Sequence, residues 1–335
     1  MKFRFFLFPL AFIYGIIVHI RNFLFNIEVF KSNPSSIPSI VIGNLSMGGS
    51  GKTPMLIWLY SVLKDNHNIA FLSRGYGRKS NGFRQVSAMS TAKEVGDEPL
   101  LLYSKTQNQH IFVCEDRFDG IEKIKNLFPQ IGIVILDDGF QHRKLKADKY
   151  ILITEYNAPY FEDFYFPMGN LRDGKNQAKR ADIIIVSKCP ESLQDVEKEH
   201  FITKLNPLPH QSVFFATIEY ELVKEVFENK NVSLPERCIA VSGIAKPKLF
   251  IEAISKKIKL VKHFNYPDHH SFSEKDIESW SNFSDCKAVV TTEKDAIRLV
   301  EYKDYLDSKN LKIYSLPIKM QIDKLELFLK ILNSN

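Results

Sequence analysis

A chain of 335 residues with 44% apolar and 25% charged residues and a formal net charge of +6 has an ordinary globular composition, long enough for one large or two medium domains. That balance excludes a disordered chain and a disulfide framework. No dense Lys/Arg stripe interleaved with aromatics marks a nucleic-acid surface, so no nucleic-acid partner is expected, while the modest basic excess suits an anionic membrane or a phosphate-bearing substrate. The four cysteines, Cys114, Cys189, Cys238 and Cys286, are scattered without a C-x-x-C pair, which argues against a thiolate metal site and suits a reducing compartment.

The first element runs from Phe3 to Phe30. Its stretch from Phe5 to Val18 carries no charge and is bracketed by Lys2, Arg4, His19 and Arg21. As a helix that stretch spans about 21 Å, short of a hydrocarbon core of roughly 30 Å. No small-residue cleavage site follows, so a secretory signal peptide is not expected. The segment reads as a monotopic helix lying in a membrane surface, with a buried core helix or a single span as alternatives. Pro9 fits near a helix start and Gly15 weakens the middle.

A polar, Pro-containing linker, Ser32 to Ser39, leads into a strand at Ile37 to Ile42, a Gly-rich turn at Asn44 to Thr53 and a helix at Pro54 to Leu63. Further continuous apolar runs at Ile69–Ser73, Ile131–Leu136, Tyr150–Thr154 and Asp182–Ser187 have the pattern of parallel strands covered on both faces. Alternating with helical stretches, they predict a doubly wound α/β sheet. A second set follows, with strands at Cys238–Ser242 and Ala288–Thr292 and a helix at Ser273–Trp280. Val213–Tyr220 and Leu311–Leu316 flank that set and read as paired connecting strands between two lobes. The last helix, Asp323–Leu332, is expected to return to the first lobe. The expected division is an N-terminal helix over 1–30, a first domain over 31–215 completed by 317–335, and a smaller α/β lobe over 221–311.

The strongest chemical signal is IVIGNLSMGGSGKTP, residues 40–54. It compares with the phosphate-loop pattern G-x-x-x-x-G-K-[ST], with Ser46 in place of the first glycine. Ser46, Met47, Gly48, Gly49, Ser50, Gly51, Lys52 and Thr53 form the expected nucleotide-binding loop. Its glycines let backbone N–H groups turn toward phosphate, Lys52 reaches the β- and γ-phosphates, and the Thr53 hydroxyl ligates Mg²⁺. A bare Gly-rich turn is the plain alternative; a strand before and a helix after favour the phosphate loop. Asp137 and Asp138 end the apolar strand in IGIVILDDGFQHRK, where a Walker B carboxylate would hold Mg²⁺. An Asp-Asp-Gly turn is the alternative there.

Taken together, these segments resemble the tetraacyldisaccharide 4'-kinase family. The stretches that carry the resemblance are GNLSMGGSGKTP, LSRGYGRK, GDEPLLL, EDR at Glu115–Arg117, LDDGFQHRKL, RADIIIVSK, VSGIAKPKLF, FNYPDHHSF and TTEKDAIRL. They run in order from about residue 40 to 300, and the apolar N-terminal helix matches too. The resemblance implies a P-loop NTPase-like α/β/α sandwich with a second, smaller α/β lobe, a two-stranded linker and an N-terminal membrane-associated helix. It implies an ATP-dependent enzyme, with ATP and Mg²⁺ as cofactors, that phosphorylates the 4'-hydroxyl of tetraacylated glucosamine disaccharide 1-phosphate to give lipid IVA. The enzyme is then expected as a monomer at the cytoplasmic face of the inner membrane, in contact with membrane lipid.

Phosphoryl transfer needs a base for the attacking hydroxyl. The candidate is Asp97 in Val-Gly-Asp-Glu-Pro, with a helix N-cap as its plain reading. By resemblance it works with a histidine of the Pro-Asp-His segment, His269, with His270 one residue away. Arg74 and Tyr76, after a strand, are candidates for gripping substrate, as are Arg117 and Arg172 for phosphate contact. Glu98 and His142 stand as supporting residues, and Glu293, Lys294 and Asp295 as either site or salt-bridge residues. The competing readings are a P-loop GTPase, another glycolipid kinase and a nucleotide-free scaffold. Val186-Ser187-Lys188-Cys189 lacks the guanine-reading Asp of a GTPase, and an intact Lys52-Thr53 speaks against a scaffold.

Overall fold

The computed structural model describes residues 2–106, 110–228, 230–233, 235–283 and 286–333, without the side chains of residues 2, 3 and 333. The side chain of the flanking cation Lys2 and the last two residues of the 317–335 segment therefore lie outside what is described.

Helix α1 (Phe8–Asn26) has Pro9 in its first turn and follows a 3₁₀ turn, Lys2–Leu7. Its 19 residues reach about 28 Å, longer than the uncharged run alone suggests, because the helix continues through His19 and Arg21. Ala11, Gly15, Val18, Asn22 and Phe25 are buried, a single stripe at three- and four-residue spacing. Phe8, Phe12, Ile13, Ile17 and Phe23 are more than half exposed. Residues 4–26 are long and apolar enough to cross a membrane, yet 22% of the most apolar window is buried. The buried stripe is therefore docked on the protein and the rest faces outward. Gly15 makes the docking close: a Cβ there would come within 2.8 Å of the Tyr165 ring.

The first sheet holds β1 (Ser39–Gly43), β2 (Ile69–Ser73), β3 (Arg84–Gln85), β4 (His110–Val113), β5 (Ile133–Asp137), β6 (Lys149–Glu155), β7 (Ile183–Ser187) and β8 (Ser212–Tyr220). With the edge strand Ile318–Ile322 outside β8, its spatial order continues β8-β7-β6-β1-β5-β2-β4-β3. Every pairing from β8 to β4 is parallel. β1, β2 and β7 bury all their positions because helices cover both faces. Ile40 and Ile42 point into one core with Met55 and Leu59 of α2 (Lys52–Leu63). Val41 points into the other core, with Ile121 and Ile124 of a later helix and Phe140. Successive residues of one strand thus serve opposite layers. Helices α3 (Asp97–Lys105), α4 (Arg117–Leu127) and α5 (Asp195–Leu205) complete this part of the chain.

The second sheet holds β9 (Lys224–Glu225), β10 (Lys230–Asn231), β11 (Arg237–Ser242), β12 (Lys259–Asn265), β13 (Ala288–Thr292) and β14 (Lys312–Leu316), in the order β10-β9-β14-β13-β11-β12. With it go α6 (Lys248–Ser255), α7 (Glu274–Ser281) and α8 (Glu293–Leu299). Here the sequence expectation needs correction. Leu311–Leu316 is not a connecting strand: β14 lies inside the second sheet, parallel to β13. The strand that pairs antiparallel with β8 is β15 (Ile318–Ile322). Two extended segments follow one another, and Pro317, which has no N–H to give a ladder, separates them. The final helix, α9 (Leu325–Asn333), packs back on the first sheet. Its fully buried Phe328 has ring centroids 5.0 Å from Trp58 and 5.3 Å from Phe214.

Candidate active site

The loop between β1 and α2 bends through left-handed backbone at Gly48 (φ 106°) and Gly51 (φ 95°), conformations that favour glycine. A Cβ on Gly48 or Gly49 would meet nothing within 4 Å, so the loop opens onto free space. α2 then starts at Lys52, and its unpaired N-terminal N–H groups and dipole favour an anion there. Lys52 Nζ donates to Asn44 Oδ1 at 3.3 Å and lies 3.6 Å from Asp138 Oδ1. Ser50 Oγ accepts from Asn44 Nδ2 at 2.9 Å, and Thr53 is half-buried one residue into α2. Ser46 and Met47 do something else: Ser46 forms an isolated bridge with Leu171, and the Met47 N–H donates to the Asn170 carbonyl at 2.7 Å. Those two residues moor the loop to the 163–173 segment, so the Met47 N–H is not turned toward phosphate.

The register of β1 against β5 sets Ile42 opposite Asp137, which brings the acidic pair beside the start of the loop. The two acids are not equivalent. Asp137 is 5% exposed and its Oδ1 has no partner. Burial, with Glu98 and Asp138 nearby, pushes its carboxyl up to about 7. Asp138 sits in left-handed backbone (φ 51°) with Arg172 Nη1 on its Oδ2 at 2.7 Å and Arg172 Nη2 on its Oδ1. Burial opposes its ionisation, but Lys52 and Arg172 outweigh burial and hold it well below the usual carboxylate range.

The same network shows where the other basic candidates lie. Arg172 Nη2 also reaches Asn44 Oδ1, so Arg172 is spent on protein partners here. Arg117 is 1% exposed and donates through Nη1 to the carbonyls of Cys114 (2.8 Å) and Glu115 (3.2 Å). Expected as a phosphate contact, it is instead sealed behind the acidic pair, where burial lowers it to about 10 against the pull of Asp137 and Asp138. His142 is pushed down to about 4 by burial, with Arg117 and Arg74 adding to it. Arg74 and Tyr76 lie exposed on a turn that needs left-handed glycines at 75 and 77. The Tyr76 ring lies 5.0 Å from that of His269.

Asp97 and His269, 172 residues apart in sequence, meet across the two sheets: His269 Nδ1 is 3.0 Å from Asp97 Oδ2. Asp97 opens α3 and its Oδ1 accepts the Glu98 N–H at 2.9 Å. It is 5% exposed. Burial raises its carboxyl, but the His269 hydrogen bond and the cations Lys294 and Arg298 more than offset this and leave it below its ordinary value. His270 turns away, with Nε2 3.1 Å from Asp276 and its ring stacked on Tyr266. Glu98 pairs with Lys294 at 3.0 Å, and Glu293 pairs with Lys105. Asp295 Oδ2 accepts from the Gly243 N–H (3.0 Å) and the Thr292 hydroxyl (2.6 Å), and its Oδ1 forms an ion pair with Arg298 (2.9 Å), a structural knot.

Residues 3–334 match the family described as tetraacyldisaccharide-1-P 4'-kinase. The chain belongs to that family. Similar proteins named tetraacyldisaccharide 4'-kinase include one from Flavobacterium psychrophilum, 43% identical over 93% of this chain and 91% of the relative. Another, from Bacteroides thetaiotaomicron, is 35% identical over 94% of this chain and 88% of the relative. Among solved structures, LpxK from Aquifex aeolicus in complex with ATP aligns with a TM-score of 0.77 and 29% identity over 98% of each chain. The match spans both sheets and α1, so the P-loop sandwich, the second lobe and the kinase family apply to the whole chain.

Four residues of this kinase site went unassigned in the sequence. Asn44 holds Ser50, Lys52 and Arg172. Arg298 lies 3.4 Å from Asp97. Lys188 donates to the Gly49 carbonyl and lies 3.5 Å from Glu155. Lys246, from the second lobe, reaches Glu155 at 2.8 Å. Each lies inside a stretch that carries the family resemblance, the one signal available for them.

Proposed function

We propose that this protein transfers the γ-phosphate of ATP to the 4'-hydroxyl of tetraacylated glucosamine disaccharide 1-phosphate, giving lipid IVA, with Asp97 as the base. The observation that carries the reading is the pairing of Asp97 with His269 close to the phosphate loop. A buried, ionised carboxylate is held by His269 with Arg298 beside it, and the charge of its neighbour Glu98 is felt at Asp137. The N–H groups of the Gly48–Gly51 turn and Lys52 hold the ATP phosphates. Asp97 accepts the proton of the 4'-hydroxyl as the new O–P bond forms and the bond to ADP breaks.

The donor set around the loop suits Mg²⁺: the Thr53 hydroxyl and an Asp137 oxygen that is buried without a partner. Among the described residues no group of three or more His, Cys, Asp or Glu side chains could hold a metal. That accords with an ion kept by one or two protein oxygens, water and nucleotide phosphates. Bound Mg²⁺ neutralises charge on the β- and γ-phosphates. Asp138, gripped by Arg172, is reserved for orienting Lys52, and Arg172 serves through Asp138 before any substrate contact. Arg74 and Tyr76, on their open turn, are the residues that meet the sugar phosphate, with Glu98 beside them.

The exposed apolar face of α1, with Arg4 and Arg21 at its flanks, seats the enzyme in the cytoplasmic leaflet of the inner membrane as a monotopic monomer. Residues 31–220, completed by β15 and α9, act as the nucleotide-binding unit, and residues 221–316, which take in β14, as the lobe that brings His269. The test is transfer from labelled ATP to the tetraacyl disaccharide 1-phosphate in detergent micelles, with Lys52→Ala and Asp97→Ala alongside. Large losses in both variants support the reading. Full transfer by Asp97→Ala removes Asp97 as base, and no transfer by folded, ATP-binding wild type removes the substrate.

A further inference from the structure

Lys294, near the start of α8, occupies the gap between the two halves of the site. Its Nζ is 3.0 Å from Glu98 Oε1, 3.0 Å from His269 Nε2 and 3.9 Å from Asp268 Oδ1, and its side chain is 17% exposed. Burial opposes its charge, but Glu98, Asp97 and Asp268 outweigh burial and hold the ammonium protonated. An ammonium has three protons and no lone pair. The ring nitrogen facing it can therefore only accept, so Nε2 of His269 carries the lone pair. The ring proton then sits on Nδ1, 3.0 Å from Asp97 Oδ2. Two constraints help fix the ring: the left-handed backbone of His269 (φ 58°) and its N–H bond to the Gly243 carbonyl at 3.2 Å.

We propose that Lys294 is a positioning residue that selects the Nδ1–H tautomer of His269 and so aims its N–H at Asp97. The proposal rests on the Asp97–His269 reading above and adds what decides its protonation geometry. A ring with Nε2 engaged by an ammonium and Nδ1 already protonated has no free site for a substrate proton. His269 is thereby confined to donating, and proton acceptance is left to the Asp97 carboxylate. The same Lys294 reaches Glu98 on α3, so the residue that fixes the ring also takes part in the contact between the two lobes.

The test uses the full-length protein in detergent micelles, labelled with ¹⁵N only at histidine, and reads the tautomer from long-range ¹H–¹⁵N correlations. His269→Gln assigns the resonances. The wild type is expected to show a protonated Nδ1 and an unprotonated Nε2 at His269. Lys294→Met is expected to move the ring to the Nε2–H pattern or an average, and to lower kcat by roughly tenfold or more, with the KM for ATP within about twofold. Lys294→Arg, also a pure donor, is expected to keep the tautomer and recover part of kcat. A wild-type Nε2–H ring overturns the proposal, as does a Lys294→Met variant with unchanged spectrum or unchanged kcat. If Lys294→Met does not fold, Lys294→Gln takes its place, and an unchanged tautomer or kcat in that variant overturns the proposal. Full activity in Asp97→Asn would remove the base assignment while leaving the tautomer measurement intact, so the two failures are distinct.

Discussion

Tyr14 on α1 donates its phenol proton to the backbone carbonyl of Arg172 at 3.0 Å, and the guanidinium of that same Arg172 holds Asp138. The helix that carries the exposed apolar face is thus one residue removed from the acidic pair. Two further bonds repeat the connection: Arg21 donates to the Gln141 carbonyl at 2.7 Å, and Asn22 Nδ2 to Asp173 Oδ1 at 2.7 Å.

Asn22→Ala should therefore cost more than a helix-surface change. Asp173 is fully buried and would keep its desolvation cost with one partner fewer. A loss of about 1–3 kcal/mol is expected, seen as a lower unfolding midpoint in micelles, together with lower kcat as the Arg172 segment loosens. An unchanged midpoint would show that α1 is not held by this bond.

Arg172→Lys tests the fork itself. A guanidinium meets both oxygens of Asp138, whereas an ammonium meets one. The expected result is a fall in kcat of roughly tenfold or more, with nucleotide binding by calorimetry little changed. A rise in the KM for the lipid with kcat preserved would instead make Arg172 a substrate contact.

Arg117→Met separates a buried structural cation from a substrate ligand. Removing a guanidinium that satisfies the buried Cys114 carbonyl and the half-buried Glu115 carbonyl and is drawn by the charge of Asp137 should lower stability by about 2–4 kcal/mol, without raising the lipid KM of the protein that remains folded. A higher KM at unaltered thermal stability would return Arg117 to the substrate site.

Asp137 gives a pH test on protein free of nucleotide and metal. Its carboxyl is raised from 3.8 to about 7 by burial, Glu98 and Asp138. An acid raised on folding keeps its proton longer in the folded state, so folding is disfavoured as pH climbs from near 4 through about 7. Asp137→Asn should remove that penalty. It should raise the unfolding midpoint at pH 8 by more than at pH 5, on the order of 1–3 kcal/mol. An equal effect at both pH values would mean that Asp137 titrates normally.

The two-layered first sheet was legible because strands such as Ile69–Ser73 and Ile183–Ser187 are unbroken apolar runs, and a run of that kind needs cover on both faces. The connector was not, because KIYSL and IKMQI are equally strand-like and only pairing decides which sheet takes each. Lys52 and Asp137 are legible from local pattern, a glycine-rich turn and an acidic strand end. Arg117 reads from sequence as a phosphate contact, and its burial comes from what folds over it. Lys294 was visible as a motif residue, but its hold on His269 depends on a distance between segments far apart in sequence. Asn44, short and polar at a strand end, looked like a turn residue for the same reason.

The chain crosses between the two sheets at adjoining points, after Tyr220 and at Pro317, and the Glu221 N–H donates to the Pro317 carbonyl at 2.9 Å. Two crossings tied side by side act as a hinge pin. Any rotation about that pin would carry each residue of the second lobe along an arc whose length grows with its distance from Pro317. His269, Lys294 and Arg298 ride on one lever, so a single angle sets their alignment on Asp97 and Glu98, and they engage together.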